Sequence, residues 1–160
     1  MDCLDSPPKR DEGARVSVTV EECTEVTDDV VTAFATLIPQ LSSSNAPPNR
    51  ERLEQIVRHQ GSTLFLARAE GRIVGSLTLA VFPIPTGIRA WIEDVVVDET
   101  ARGHGVGEAL NRRALDRARA LGAITVELTS RPSREAANRL YTKMGFVTRD
   151  TNVYRYTLDE

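Results

Sequence analysis

The sequence predicts a single domain of the mixed α/β (α+β) class, with helices on the faces of one central sheet. Its 160 residues are enough to bury one core and too few for two ordinary domains. Apolar residues alternate with polar ones in some segments and recur every three or four residues in others, which are the periods of strands and helices. The segments follow in the order strand, two helices, three strands, helix, strand, helix and two strands, which favours a mixed, mostly antiparallel sheet with about four flanking helices.

The first half of the chain is predicted to contain one strand, two helices and a hairpin. Residues 1–13 are polar and contain adjacent prolines, so we expect a disordered leader there and a folded domain over 14–160. The predicted elements are a strand over 15–21, a helix from Thr27 that ends at Pro39, a helix capped by Asn49 and ended by a left-handed Gly61, and the paired strands STLFLARA and IVGSLTLAVF, the second of which ends at PIPTG.

The second half continues with RAWIEDVVV, the most apolar strand and therefore the one predicted to be central. A long helix then begins at Val106 and ends at Gly122. Its apolar face consists of Leu110, Ala114, Ala118 and Leu121. The next strand, ITVELTS, follows a crossover long enough to return parallel. A helix capped by Ser133 should run to Met144, after which FVTRD and VYRYTL are predicted to close the sheet.

Charge and cysteine content exclude several classes of partner. A formal net charge of −3 gives no overall field that attracts nucleic acid or an anionic membrane, and no segment approaches the roughly 18 apolar residues of a membrane span. Cys3 and Cys23 provide neither a disulfide framework nor a CxxC metal motif. The sequence therefore predicts a cytoplasmic protein that uses no metal and binds small or locally recognised partners.

The stretch ARGHGVGEAL, residues 101–110, places three glycines just before the long helix. A helix N-terminus presents unpaired N–H groups and a partial positive charge, so bare backbone there favours an anion, most often phosphate. Two phosphate-binding motifs do not fit, because Gly107 is not followed by the Lys and hydroxyl of a Walker loop and GxGxxG fails from both Gly103 and Gly105. A tight turn whose glycines only satisfy a positive φ is the alternative.

Two patches together carry a resemblance to a known family. Arg102, Gly105 and Gly107 fit the pattern Arg/Gln-x-x-Gly-x-Gly/Ala directly after IEDVVVDETA, and REAANRLYTKMGF places Asn138 and Tyr141 three residues apart before Gly-Phe. On these patches the sequence resembles the GCN5-related N-acetyltransferase (GNAT) family over roughly residues 16–158. The resemblance implies a loop that wraps the pyrophosphate of acetyl-coenzyme A, a sheet splayed at strands four and five, and the homodimer that many members form.

The resemblance also implies a role for each residue of the site. Backbone N–H groups of Val95–Val97 would stabilise the oxyanion, Asn138 would contact the coenzyme, and Tyr141 would reach its sulfur. A phenol of pKa about 10 can protonate the thiolate of a thiol with pKa near 8.5, so Tyr141 is the candidate acid. The residues implied in coenzyme binding are Val95, Val96, Val97, Arg102, Gly103, His104, Gly105, Val106, Gly107, Glu108, Asn138 and Tyr141.

Two carboxylates in the central strand are candidates for the base. Glu93 and Asp94 interrupt an apolar run, where a buried carboxylate costs free energy unless it is paired or functional. Family members often carry a carboxylate here, so Glu93 is the candidate that removes a proton from the acceptor ammonium, directly or through water. Asp94 is the alternative base, and a purely structural carboxylate paired with an arginine also remains open.

The expected function is transfer of the acetyl group of acetyl-CoA to a primary amine, by direct attack in a ternary complex. The acceptor would be a small molecule or a peptide. Two alternatives remain at this point: a CoA-binding regulatory module without turnover, and a nucleotide-binding α/β domain.

Overall fold

The computed structural model describes residues 17–158, which form a five-stranded mixed sheet with helices on both faces. The strands lie in the order β1-β2-β3-β4-β5; the first four are antiparallel and β5 runs parallel to β4. The predicted fold class is thereby confirmed. The predicted leader, residues 1–13, lies outside the described residues. The elements are β1 Val18–Glu22, α1 Asp28–Leu41, α2 Arg50–Arg58, β2 Ser62–Ala69, β3 Arg72–Ile84, β4 Gly87–Val97, a 3-10 turn Glu99–Ala101, α3 Val106–Ala120, β5 Ala123–Glu127 and α4 Glu135–Lys143.

The sheet separates two layers of buried side chains. On one face α3 packs through Val106, Leu110, Ala114 and Ala118 against Phe65, Leu77, Leu79 and Ile92. On the other face α1 and α2 pack through Phe34, Ile38 and Leu53 against Leu64 and Leu66. Because neighbouring residues of a strand point to opposite faces, β2 contributes Phe65 to the first layer and its neighbours to the second. The two faces of the sheet are therefore covered by different helices.

Local sequence signals explain most element boundaries. Asn49 caps α2 as predicted, its side-chain oxygen accepting the N–H of Arg52 at 2.9 Å. Gly122 has φ +79 and follows α3 as its predicted stop. Leu121, in contrast, was expected on the buried face and is 38% exposed, because the helix has already ended at Ala120 and Leu121 is its C-cap residue.

Four predicted boundaries are wrong, two of them at helices in the first half of the chain. Pro39 lies inside α1, which continues to Leu41, since a proline in the last turn removes one hydrogen bond while Leu37 and Ile38 stay buried. Gly61 does not have a left-handed φ; a Cβ there would lie 3.2 Å from the Val81 carbonyl oxygen, so the glycine provides space.

The other two wrong boundaries are the turn between β3 and β4 and the start of α4. PIPTG does not interrupt the sheet, because β3 continues through Ile84 and β4 begins at Gly87. Arg134, rather than Ser133, stands at the cap position of α4, and no side-chain cap bond forms at that helix start within the described residues.

The two closing strands, FVTRD and VYRYTL, are absent from the described part of the chain. After α4, residues 147–158 have no strand pairing and are exposed. The alternating pattern reports a strand propensity, but a strand also needs a neighbouring edge that completes its backbone hydrogen bonds. In residues 17–158 this segment lies against no such edge.

Leu110 anchors α3 to the sheet, and its replacement should expose that contribution. Leu110 is fully buried, so Leu110→Ala should lower the free energy of unfolding by about 2–5 kcal/mol. Leu121→Ala, at the exposed end of the same helix, should cost less than about 1 kcal/mol. Urea unfolding followed by circular dichroism measures both values. Equal losses for the two variants would contradict the described packing of α3.

Candidate active site

A register shift divides β4 into two parts. Glu93 lies opposite Thr78, but Val96 lies opposite Ser76, so Leu77 of β3 faces two residues of β4 instead of one. Those two residues are Asp94 and Val95, and Asp94 has a φ of +51. This geometry is a β-bulge, which bends a strand and interrupts its ladder of hydrogen bonds.

The pairing of β4 with β5 ends before the bulge, at Trp91 opposite Glu127, the last residue of β5. The parallel pairing covers Ile88–Trp91 only, and within residues 17–158 no strand pairs with Val95–Val97 on the β5 side. The Asp98 N–H donates to the Val74 carbonyl oxygen at 2.8 Å, so that residue still faces β3. Because backbone groups alternate in direction along a strand, the N–H groups of Val97 and Val95 point away from β3. They therefore line the gap between β4 and β5.

The glycine loop begins where this gap opens. Gly103 and Gly105 have φ values of +81 and +79, and Gly105 is the N-cap residue of α3. A Cβ built on either residue would meet no atom of the described chain within 4 Å. The backbone here is thus both left-handed and open to an approaching group. The free N–H groups of the first turn, at Val106, Gly107 and Glu108, suit a phosphate group.

Gly107 is a glycine for a different reason. It has an ordinary helical φ, and a Cβ at this position would lie 3.2 Å from Leu140 Cδ2 of α4. Close packing of α4 on the first turn of α3 therefore requires a small residue. Lys143 Nζ adds an ion pair to Glu108 Oε2 at 3.1 Å between the same two helices. These two contacts hold α4, which carries Tyr141, against the first turn of α3.

The charged side chains of the loop are engaged with the protein itself. Glu108 accepts from Arg112 at 2.7 Å as well as from Lys143, and these two cations lower the pKa of its carboxyl group. Arg102 Nε donates to the Val97 carbonyl oxygen at 3.4 Å, and His104 Nδ1 donates to the Arg102 carbonyl oxygen at 3.0 Å. The loop therefore offers a ligand mainly its backbone N–H groups.

Tyr141 lies in a half-buried position against Phe146. The two rings meet edge to face with centroids 5.7 Å apart. Burial raises the pKa of the Tyr141 phenol, and the positive charge of Arg134 offsets part of that effect. The phenol therefore keeps its proton to higher pH than an ordinary tyrosine, which suits a proton donor. Asn138, one turn earlier, donates to the Arg131 carbonyl oxygen at 2.9 Å and so orders the chain before α4.

The two candidate bases are not buried as expected. Glu93 and Asp94 are both exposed, because the bulge turns this part of β4 outward and the gap leaves it without a covering strand. Glu93 lies opposite Thr78, and Trp91 lies opposite Ala80. The side chains of Glu93 and Trp91 therefore lie on the same face of the sheet, the one covered by α1 and α2. Arg134 approaches this face from α4, where its Nη2 donates to the Leu41 carbonyl oxygen at 3.0 Å.

Asn111 is a residue of the site region that the sequence analysis did not identify. It is fully buried one turn after Gly107, and its Nδ2 donates to the Gly107 carbonyl oxygen at 2.8 Å. Its Oδ1 has no partner among the described residues. A polar residue next to the apolar stripe of α3 was the available signal. Its bond fixes the first turn of the helix that carries the loop N–H groups.

Comparison with known proteins identifies the family. The family model described as "Acetyltransferase (GNAT) family" matches residues 28–146, which include the bulge, the glycine loop and α4. The chain belongs to the GNAT family of acetyltransferases. It is similar to glucosamine 6-phosphate N-acetyltransferase 1 of Oryza sativa subsp. japonica, with 32% identity over 139 residues, 80% of this chain and 81% of the rice protein.

Two further relatives agree with this GNAT assignment. A glucosamine 6-phosphate N-acetyltransferase of Trypanosoma brucei brucei is 42% identical over 86 residues, 52% of this chain and 56% of that protein. The crystal structure of a Trypanosoma brucei acetyltransferase superposes with a TM-score of 0.72 and 27% identity, covering 89% of this chain and all of that one. The chain is therefore an enzyme, an acyl-CoA-dependent N-acetyltransferase.

Two features are absent from the described part of the chain. In residues 17–158, His, Cys, Asp and Glu side chains form no cluster of three that could hold a metal ion. None of the helices described is long and apolar enough to cross a membrane.

Gly105 provides a test of the loop. Gly105→Glu adds a negative charge at the start of α3, so it should weaken acetyl-CoA binding at least 10-fold by calorimetry, because the dipole and N–H groups there favour an anion from the ligand. Gly122→Glu is the matched control, since Gly122 has the same φ of +79 at the opposite end of α3. Both variants carry the strain of a left-handed non-glycine residue, about 1–2 kcal/mol. Unchanged affinity in a folded Gly105→Glu protein would contradict a phosphate-binding role.

Proposed function

We propose that the protein transfers the acetyl group of acetyl-CoA to a primary amine in a ternary complex, by direct attack of the amine. The observation that carries the proposal is the alignment of the β4–β5 gap with the glycine loop. The gap is lined by N–H groups without a ladder partner in residues 17–158, and the loop beside it is open backbone at a helix N-terminus. A long, thin ligand with a phosphate part and a reactive carbonyl fits such a continuous site.

Acetyl-CoA supplies an activated thioester when bound. Residues Gly103–Glu108 would hold its pyrophosphate through backbone N–H groups, since their charged side chains are engaged elsewhere. Gly103 and Gly105 leave the space that this contact requires. The chain between the pyrophosphate and the thioester would lie in the β4–β5 gap.

The N–H groups of Val95 and Val97 are suited to stabilising negative charge on the acetyl oxygen. Their direction is fixed by the sheet before any ligand arrives, so little reorganisation is needed as charge develops. A hydrogen-bond donor placed in this way contributes about 2.7–4 kcal/mol to lowering a reaction barrier. The apolar neighbours of these groups limit water in the gap, which strengthens the interaction.

Tyr141 and Glu93 would manage the protons. As the amine forms its bond to the acetyl carbon, the C–S bond breaks and the departing sulfur takes the proton of the Tyr141 phenol, whose pKa is raised by burial. The amine must first lose a proton. Glu93 is exposed on the face shared with Trp91, so it would accept that proton directly or through a water molecule. The nitrogen would lose its second proton to solvent as the amide forms, and the phenolate would regain a proton from solvent after release.

The acceptor proposed is an amino sugar phosphate, with glucosamine 6-phosphate as the first compound to test. Two relatives carry that compound in their names. Arg134 supports an anionic acceptor, because its guanidinium places a positive charge near the Tyr141 phenol. A hydrogen bond to the Leu41 carbonyl oxygen at the end of α1 holds that guanidinium. Among residues 17–158 the Cys23 thiol is buried and forms no disulfide, which is compatible with the cytoplasmic location included in the proposal.

An acceptor screen tests turnover and specificity together. Release of CoA thiol should occur with glucosamine 6-phosphate and should be at least 10-fold less efficient, in kcat/KM, with glucosamine. Arg134→Gln should raise KM for the phosphorylated acceptor and leave the glucosamine reaction nearly unchanged. Tight acetyl-CoA binding without thiol release for any amine would instead support a CoA-binding module. ATP or NAD displacing acetyl-CoA would support a nucleotide-binding domain.

Variants of the acid and the base should separate their roles. Tyr141→Phe should lower kcat about 100-fold or more and should change acetyl-CoA affinity far less, since general acid catalysis contributes factors of that order. Burial raises the pKa of Tyr141, so part of the tyrosinate absorbance of the unchanged protein should appear only above the ordinary tyrosine range. That part should be missing from the titration of Tyr141→Phe. Glu93→Gln should lower kcat while that tyrosinate titration stays unchanged. A Tyr141 that ionises at or below the ordinary range would argue against the acid assignment.

A further inference from the structure

A small cavity lies between α3 and the first three strands, and we call it the loop cavity. Its volume is about 90 Å³, and its walls include the chain on both sides of the glycine loop. Among the described residues, none from β4 or β5 lines it, so it is separate from the β4–β5 gap. Its floor consists of apolar side chains, of which all but the first are buried: Val18, Ala69, Val74, Ala101 and Val106. The floor therefore suits an apolar group.

The rim of the loop cavity carries two opposite charges. Glu70 and Arg72 both line the cavity and are exposed to solvent, and Thr100 and His104 complete the rim. In residues 17–158 neither Glu70 nor Arg72 forms an ion pair. Asp98 Oδ1 accepts the N–H and the hydroxyl of Thr100 at 2.9 and 2.7 Å, so that carboxylate is held within its own turn. The two rim charges are therefore available to a ligand.

The backbone conformation of Glu70 is unusual for a glutamate. Glu70 and Gly71 form the two-residue turn between β2 and β3, and both have positive φ values, +50 and +78. Turns of this kind favour asparagine, aspartate or glycine at the first position, because these residues tolerate a positive φ. Glutamate has no such advantage for the turn itself. A strained residue whose side chain lines a cavity indicates a role for that side chain.

The loop cavity matches a branched aliphatic α-amino acid. A cavity of about 150 Å³ holds a benzene ring, so 90 Å³ suits about three or four carbon atoms, the size of a valine or leucine side chain. The Glu70 carboxylate can accept hydrogen bonds from the ammonium group of such a ligand, and the Arg72 guanidinium can donate to both oxygens of its carboxylate. A ligand with only one charge would leave the other rim group without a partner.

We propose that the loop cavity binds L-leucine or L-valine, with the alkyl group on the apolar floor and the two charged groups on Glu70 and Arg72. This ligand is distinct from the acetyl acceptor, because the cavity is separate from the β4–β5 gap. In the cavity it contacts Ala101 and Val106, on the two sides of the glycine loop. Acetyl-CoA then meets a loop whose ends are already fixed, so the amino acid is an activator of coenzyme binding. The activator role rests on the proposed pyrophosphate contact.

Calorimetry with the full chain and no acetyl-CoA tests the loop cavity alone. L-leucine should bind as one molecule per chain. Isocaproate, which lacks the ammonium group, and leucine amide, which lacks the carboxylate, should each bind about 10-fold more weakly, because each loses hydrogen bonds to a charged group. L-phenylalanine should bind about as weakly, since its ring exceeds the cavity volume. Absence of L-leucine binding at millimolar concentration would overturn the proposal, whatever fills the cavity instead.

Two variants assign each charged group of the ligand to its partner. Glu70→Gln should bind L-leucine and isocaproate about equally and should still prefer L-leucine to leucine amide. Arg72→Gln should bind L-leucine and leucine amide about equally and should still prefer L-leucine to isocaproate. Glu25→Gln and Arg155→Gln are matched controls that should keep both preferences, because both residues are exposed and neither lines the cavity. Unchanged preferences in the two rim variants would overturn the assignment.

Glu70→Asn separates a ligand contact from a structural role. Asparagine tolerates a positive φ, so this variant should unfold at a higher urea concentration than the unchanged protein. It should nevertheless bind L-leucine about 10-fold more weakly, because the shorter, neutral side chain no longer pairs with the ammonium group. Loss of both stability and binding would indicate a structural role for Glu70 and would overturn the proposal.

The activator role has its own measurement. Saturating L-leucine should tighten acetyl-CoA binding several-fold, and acetyl-CoA should tighten L-leucine binding by the same factor, since coupling between two sites is reciprocal. Arg72→Gln should weaken this coupling and leave acetyl-CoA affinity in the absence of amino acid unchanged. L-leucine binding that has no effect on acetyl-CoA affinity would overturn the activator role. A chain that binds L-leucine and fails to bind acetyl-CoA would contradict the proposed function instead.

Discussion

The bulge at Asp94 is the constraint on which the site depends. Two residues of β4 face one residue of β3, so the strand bends at that point. The pairing of β4 with β5 has already ended at Trp91, opposite Glu127, where β5 itself ends, so the N–H groups of Val95 and Val97 have no partner on that side in residues 17–158. The bend sets the direction of the strand as it leads towards the glycine loop. The end of β5 thus leaves the hydrogen-bond donors free, and the bulge sets the direction of the strand that carries them.

A strained residue survives there because its surroundings fix it from both sides. A non-glycine residue in the left-handed region costs about 1 kcal/mol or more, although aspartate tolerates it better than most. Before the bulge, Ile92 is buried against Leu79, and after it Val96 is buried opposite Ser76. Slipping the register to remove the bulge would turn one of these buried pairs to the wrong face. The packing of the sheet on both sides of the bulge therefore holds Asp94 in its left-handed conformation.

Sequence reasoning succeeded where a local signal was enough. The i, i+4 spacing from Leu110 to Ala118 identified the buried face of α3, and the glycine pattern before it identified the loop, because both signals lie within a few turns of chain. It was wrong where the outcome depends on distant chain. Burial of Glu93 depends on which strand covers it, and the bulge that exposes it depends on the pairing of β3 with β4. The last two strands depend on pairing with a strand far away in the sequence, and in the structure residues 147–158 pair with none.

The different environments of Tyr141 and Glu93 match the two proton transfers that amide formation requires. Loss of a proton from an ammonium group in water needs an acceptor that keeps contact with solvent, and Glu93 is exposed on the open face of β4. Protonation of a departing thiolate needs a donor that is still protonated at the pH of the reaction, and burial against Phe146 favours the neutral phenol of Tyr141. Burying both groups would cost the carboxylate its hydration, and exposing both would admit water to the thioester. Different parts of the fold set the two environments. Glu93 lies beside the bulge of β4 and is exposed, whereas Tyr141 lies on α4, which packs on Gly107, and is half-buried.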